Sequence, residues 1–296
     1  MYSLQPEAQS SSTLAPVLHA SDTESQEQSL DAGRVKIKAS FLLARPVPKH
    51  SLRVSSKLLL QVQQLPKDHR PVPVLEIRQP LLFKSKFTRG FQQDVKLRSG
   101  DLFAHLIESY VKSSPAGRSL SNSEDQTIHG KTFTANKVVG AICHNEMASK
   151  IFFQDARFGW QGRAIEVVGP QKSRKCYRFA INNEERDPAC SSGIILQWEK
   201  KNEDVESAAL LNGEMFTLFL IDRRARRKAK MATITNDRFE MNVRKSFVRE
   251  SLQDCFDLMG YTDSETGDPR HVFESRLYTL TLTLGIWVGF QEAWFN

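Results

Sequence analysis

The chain closes on Arg276-Leu-Tyr-Thr-Leu-Thr-Leu-Thr-Leu-Gly-Ile-Trp-Val-Gly-Phe-Gln-Glu-Ala-Trp-Phe-Asn296, a segment so apolar that any fold must bury it. Three places can do so: a membrane, the edge of a sheet, or the inside of the protein's own β-structure. A bilayer span needs about 20 predominantly apolar residues. The uncharged run from Leu277 to Gln291 is shorter, is interrupted by Thr279, Thr281 and Thr283, and meets Glu292 at its end, which argues against a tail anchor. Leu280, Leu282 and Leu284 alternate with the threonines as in a strand. Beyond them Trp287, Val288, Gln291 and Trp294 recur at three and four, so the spacing predicts a helix over about 277–292. Threonine in such a helix returns its hydroxyl hydrogen bond to the carbonyl one turn back. A helix apolar on every side belongs in a core.

Upstream of it the chain reads as β-structure. Arg34 to Leu43 alternates basic with apolar residues, Ser56 to Leu65 is strand-like, and Val72 to Arg78 lies between prolines that confine it to an edge or a strand start. Asp101 to Lys112 fits strand or helix. The polar stretch Ser113 to Gly130 reads as a long surface loop inside one domain. Strand-like runs follow at Lys137 to His144, Lys150 to Gln154, Arg163 to Val168, Lys175 to Ile181, Ile194 to Glu199, Met215 to Ile221, Lys230 to Thr235 and Phe239 to Val243. That regular spacing predicts a sandwich or barrel, and a chain of 296 residues is long enough for one large β domain. A helix is expected at Val248 to Met259, with Leu252, Phe256 and Met259 on one face and Gly260 as its stop.

Charge divides the chain unevenly. The first 33 residues hold no Lys or Arg, carry Glu7, Asp22, Glu24, Glu27 and Asp31, and are rich in Ser, Thr and Gln, the composition of a disordered acidic leader. They lack the basic, apolar start of a secretory signal and the arginines of a mitochondrial presequence. An intracellular location is expected, cytoplasmic, peripheral to a membrane, or nuclear. The formal charge of +7 rises to +12 once those five acidic residues are set aside, so the body, expected as one domain over 34–296, favours anionic partners: acidic lipid headgroups first, then nucleic acid or acidic proteins. Cys143, Cys176, Cys190 and Cys255 are widely spaced, with neither a zinc knuckle nor a redox pair, and are expected as reduced thiols.

Two segments carry a likeness. Lys57-Leu-Leu-Leu-Gln-Val-Gln-Gln-Leu65 with Arg70-Pro-Val-Pro-Val-Leu75, and Leu284-Gly-Ile-Trp-Val-Gly-Phe-Gln-Glu-Ala-Trp294, resemble a family of filamentous-fungal proteins whose motifs have no chemistry attached. The strand-turn-strand from Phe216 to Thr235 fits that family too. The general plan, many strands closing around a final apolar helix, resembles the tubby C-terminal and LURP-one barrels. That resemblance implies a closed or nearly closed antiparallel barrel with the last helix in its core. It brings phosphoinositide-binding and scramblase-like relatives by analogy, with no ligand residue matched position by position.

The strongest charge feature is Arg223-Arg-Ala-Arg-Arg-Lys-Ala-Lys230, directly after an apolar strand. Arg223, Arg224, Arg226, Arg227 and Lys228 suit phosphate, of lipid or nucleic acid, or nuclear import. The plain structural alternative is the solvated tip of a hairpin opened by Asp222. Lys36 and Lys38, with Arg34, share one strand face, and Lys172, Arg174 and Lys175 flank another strand; barrel closure decides whether these join the cluster.

Enzyme signatures fail one by one. Gly130-Lys131-Thr132 ends a phosphate loop whose first glycine is replaced by Asp125. Cys143 and His144 are strand neighbours and point to opposite faces. His144-Asn145-Glu146 has a deaminase form, but Pro188-Ala189-Cys190 lacks the second cysteine of the zinc set. There is no Gly-x-Ser-x-Gly or His-Glu-x-x-His. Trp160, Trp198, Trp287 and Trp294 read as core, and Phe158-Gly-Trp160 between Arg157 and Arg163 is the one place resembling a stacking platform. The expected function is non-enzymatic binding to anionic, phosphoinositide-bearing membrane through the basic hairpin, with no cofactor and no metal. A nuclear or regulatory protein, and an accessory protein or small-molecule enzyme of fungal secondary metabolism with a pocket inside the barrel, are the alternatives.

Overall fold

A computed structural model of the chain describes residues 36–46, 56–66, 70–80, 91, 95–107, 138–144, 148–154, 156, 158–168, 173–181, 193–201, 214–258 and 269–295. The acidic leader, the polar loop at 113–130, the phosphate-loop-like Gly130-Lys131-Thr132 and the Pro188-Ala189-Cys190 segment lie outside them.

Twelve described strands close into one antiparallel barrel: β1 (Lys36–Ala44), β2 (Lys57–Gln64), β3 (Val72–Gln79), β4 (Leu102–Leu106), β5 (Val138–Cys143), β6 (Ser149–Phe153), β7 (Trp160–Val168), β8 (Ser173–Ile181), β9 (Ile194–Lys200), β10 (Phe216–Asp222), β11 (Arg227–Ile234) and β12 (Arg238–Arg244). Each strand pairs with the next in sequence, and β1 pairs with β12 from Lys36↔Arg244 to Leu42↔Arg238. Closure gives every strand a neighbour on both sides over part of its length, and where a strand has one face in the lumen and one in solvent its residues alternate in and out. β12 does so strictly, with Phe239, Met241 and Val243 inward and Arg238, Glu240, Asn242 and Arg244 outward. The edge position allowed for Val72 to Arg78 does not exist in a closed ring. Pro73 instead sits at the second residue of β3, opposite Gln63, where the β2 register shifts and one ladder bond is dispensable. The Asp101 segment resolves as strand from Leu102 to Leu106.

Two helices follow, α1 (Lys245–Leu258) and α2 (Pro269–Gln291). α1 lies across the barrel end where β12 finishes, burying Val248, Leu252, Cys255 and Phe256. α2 begins beside α1, where Phe273 meets Phe256 edge to face at 5.5 Å, and runs through the lumen to the far end. Every residue from Leu280 to Gly289 is buried, which only an element enclosed on all sides achieves. Its neighbours come from opposite sides of the ring. A Cβ on Gly140 of β5 would lie 3.6 Å from Thr283 Oγ1, whereas one on Gly285 would lie 3.1 Å from Ile234 of β11, Phe239 of β12 and Trp198 of β9. Trp287 stands on edge against Tyr177 and Phe179 of β8, at 5.3 and 5.1 Å. Thr281 Oγ1 donates to Leu277 O at 2.8 Å, the back-bond expected of a buried helical threonine.

The helix starts eight residues before the predicted 277. The added stretch from Pro269 to Arg276 is polar and partly charged, so a search for apolarity finds only the part inside the barrel. Pro269 suits a first helical position, since its missing N–H has no partner to lose there. At the other end Ala293 takes a left-handed φ of 57°, Ala293 N–H donates to Phe290 O (3.1 Å) and Trp294 N–H to Gly289 O (2.9 Å). These two bonds form a Schellman stop. No helix among the described residues is long and apolar enough to cross a membrane.

A candidate anion-binding end of the barrel

β10 and β11 are joined by the turn Arg223-Arg224-Ala225-Arg226, closed by the pair Asp222↔Arg227. Asp222 Oδ1 accepts the N–H groups of Arg224 at 2.9 Å and Ala225 at 3.0 Å, the side-chain turn that aspartate makes best, and so opens the hairpin as its sequence position suggested. Arg226 bends back with a φ of 51°, a left-handed conformation that L-residues other than glycine, Asn and Asp seldom adopt. Arg223 N–H donates to Gly193 O at 3.0 Å, tying the turn to the start of β9. Gly193 has a φ of 68°, and a Cβ there would lie 3.0 Å from Arg224 Cγ, so glycine lets the Arg224 stem lie against the backbone.

All five nominated side chains, Arg223, Arg224, Arg226, Arg227 and Lys228, are exposed. They are not equivalent. Lys228 Nζ lies 2.6 Å from Glu199 Oε1 and 4.0 Å from the centroid of the Phe219 ring, so its charge is committed to the outer barrel wall. Strand β11 begins at Arg227 rather than at Lys230 as expected, which places Arg227 and Lys228 in the ladder and leaves the other three arginines on the turn. Below the turn is a cavity of about 220 Å³ lined by Ile194, Asp222, Arg224, Ala225 and Arg227 and, from α1, by Glu250 and Ser251. Two guanidinium groups share this space with two carboxylates and a hydroxyl.

Strand directions decide which other cations join. β1 starts and β12 ends at the turn's end of the barrel, and Lys36 pairs with Arg244 there, both outward and exposed, with Lys38 next along β1. Arg174 and Lys175 open β8 at the opposite end. Closure therefore puts Lys36 and Lys38 at the turn's end of the barrel and Arg174 and Lys175 at the other, while Arg34 and Lys172 lie outside the described residues. Sequence reasoning missed Gly193, Glu250 and Ser251. The first had a legible signal, a Ser-Ser-Gly turn before an apolar run; the other two reach the site only through the placement of α1.

The remaining nominated groups lie elsewhere. Burial, reinforced by the Asp101 charge, pushes the Cys143 thiol up to about 12, which disfavours the thiolate at neutral pH. His144 Nδ1 is 3.4 Å from Ser149 Oγ, and burial lowers the imidazole pKa against the opposing charge of Asp101. Asp101, itself buried, spends its oxygens on the backbone N–H groups of His144 (2.8 Å) and Arg98 (2.5 Å), not on the ring. It is a loop staple, and it does not orient the imidazole as a catalytic acid partner does. Asn145, Glu146 and Arg157 are outside the described residues. Trp160, Trp198 and Trp287 are buried and Trp294 rests on Phe216 at 5.8 Å, so the tryptophans are core and Trp160 offers no stacking face.

The chain matches no protein-family model, no curated protein and no solved structure.

Proposed function

We propose that the protein is a binding module that docks on anionic membrane, phosphoinositide headgroups foremost, through the β10–β11 turn. The observation that carries this reading is the exposure of Arg223, Arg224, Arg226 and Arg227 at one barrel end, over a cavity that admits a small polar group. Guanidinium forks match phosphate oxygens two at a time, which a lysine point charge does not. The Asp222 turn and the Gly193 tether hold the backbone of the turn in place before any ligand arrives, lowering the ordering cost of binding. Exposed Lys36 and Arg244 extend the positive field at the same end. A pocket enzyme inside the barrel has no such support, because α2 occupies the lumen.

The test is vesicle sedimentation with phosphatidylcholine alone, and with added phosphatidylinositol phosphates, at low and moderate salt. Intact protein is expected to bind the phosphoinositide vesicles and to release as salt screens exposed charge. Alanine at Arg223, Arg224, Arg226, Arg227 and Lys228 together is expected to abolish binding. Binding that survives all five alanines, or no binding by intact protein, overturns the reading.

A further inference from the structure

β7 and β8 form a ladder that outruns both of its neighbouring strands among the described residues. β6 pairs with β7 only from Trp160 to Gly162, whereas β8 pairs with it to Val168. On the other side, β9 meets β8 only from Cys176 onward. The in-and-out alternation of burial stops at Gly162: Arg163, Ala164, Glu166, Val167 and Val168 are all exposed, although they fall on both faces. Val167 and Val168, at 39% and 83% exposure, are the exposed large apolar side chains among the described residues. Arg174 and Lys175 lie exposed on the adjoining strand.

We propose that the Arg163–Val168 edge of β7 docks an extended acidic segment of a partner protein as an added antiparallel strand. An exposed strand of β-branched residues is the template that strand addition uses, with backbone bonds giving affinity and alternate side chains giving selectivity. Natural sheets blunt such edges with lysine, proline or a covering element. Here the last three residues before residue 169 are Glu166, Val167 and Val168, with neither lysine nor proline. Charge selects the occupant, since Arg163 and Arg174 outnumber Glu166 on the ribbon, Lys175 being paired with Glu292. A lipid surface fits this tip less well, because Glu166 would enter the headgroups together with the valines. The ribbon also stands at the barrel end opposite the arginine turn, so both can be engaged at once and neither inference depends on the other.

Hydrogen exchange of the full chain, with synthetic octapeptides alternating Val and Thr, tests this. One peptide ends in Asp at both termini, one ends in Lys, and two Asp-ended forms carry N-methyl groups on either alternate set of amides. The Asp-ended peptide is expected to protect amides of Arg163–Val168 and to bind at least tenfold more tightly than the Lys-ended one. One of the two N-methylated sets abolishes this protection. The double variant Arg163→Glu, Arg174→Glu reverses the preference with an unchanged melting temperature. Equal binding of both peptides, protection elsewhere, or none at all overturns the proposal. So does binding to neutral vesicles that is lost in Val167→Ser, Val168→Ser, which would make the ribbon a membrane finger.

Discussion

Tyr177 donates its hydroxyl hydrogen bond to Glu292, 115 residues further along the chain, and so ties the wall of the barrel to the helix that fills it. Lys175 Nζ reaches the same carboxylate at 2.7 Å. Burial by itself raises the Glu292 pKa, but the bonds from Lys175 and Tyr177 outweigh it and hold the carboxyl below its ordinary range. Burial, then the bond to Glu292, pushes the Tyr177 hydroxyl the other way, which keeps it a donor at neutral pH.

A depressed carboxyl stabilises the fold above its unfolded pKa, and that contribution is lost as pH falls through the folded value. Glu292→Gln is therefore expected to cost about 1–2 kcal/mol at pH 7, a figure kept low because Lys175 is half exposed. The difference in melting temperature between variant and wild type should shrink as pH drops below about 4, near the unfolded carboxylate pKa. A difference that stays constant from pH 7 to pH 3 would mean the latch acts through shape and not charge.

Gly285 gives a second test of the threaded helix. Glycine inside a helix costs about 1 kcal/mol relative to alanine, so an exposed Gly285 would be improved by any side chain. Here a Cβ would meet Ile234, Phe239 and Trp198 at 3.1 Å each, from three strands at once. Gly285→Val should destabilise by about 1–3 kcal/mol or more in urea unfolding, because rings from the wall leave it no direction to relax. A neutral result would place α2 outside the lumen.

The two buried threonines of α2 should respond differently to the same change. Thr281 Oγ1 has its carbonyl partner, whereas Thr283 Oγ1 is buried with no hydrogen bond among the described residues. An unsatisfied buried hydroxyl costs about 1–3 kcal/mol. Thr283→Val is expected to stabilise by about 1 kcal/mol and Thr281→Val to be neutral or destabilising, read from denaturant midpoints at constant m. Equal effects would contradict the difference in their bonding.

These positions also show what was legible beforehand. Several strand runs were readable from period-two alternation, as in Phe239-Glu-Met-Asn-Val243, whereas β9 was readable as a continuous apolar run. The helix was readable where Leu280 to Gly289 is apolar on every side. It was not where Pro269 to Arg276 leaves the lumen and turns polar. The five cations were obvious, but their division was hidden: Lys228 is spent on Glu199 and Phe219, and both partners come from other strands. Glu250 and Ser251 reach the cavity because α1 folds across the barrel end, a tertiary placement that no local spacing encodes.

Lys228→Ala should accordingly separate stability from docking. It removes a half-exposed ion pair and a ring contact together worth about 1 kcal/mol, while leaving the four arginines in place. Its expected signature is a lowered melting temperature with vesicle affinity within about twofold of wild type. Arg224→Ala is expected to weaken vesicle binding severalfold, since Arg224 lines the cavity. If Lys228→Ala weakens vesicle binding as much as Arg224→Ala does, its charge serves the ligand as well as the wall.

Arg226 sets local stability against function at a single residue. A left-handed non-glycine residue costs about 1–2 kcal/mol, and Arg226 holds a φ of 51° at the tip of the turn. Arg226→Gly relieves that strain and is expected to stabilise by about 0.5–1 kcal/mol after the added freedom of the unfolded chain is counted. It also removes one exposed cation, so phosphoinositide vesicles should bind it more weakly. Ala293→Gly, at a φ of 57° in the α2 stop, is the matched control, because it relieves similar strain at the opposite barrel end without touching the turn. Stabilisation by both glycines, with weakened vesicle binding only at Arg226, would indicate that the chain keeps a strained arginine for the charge it presents.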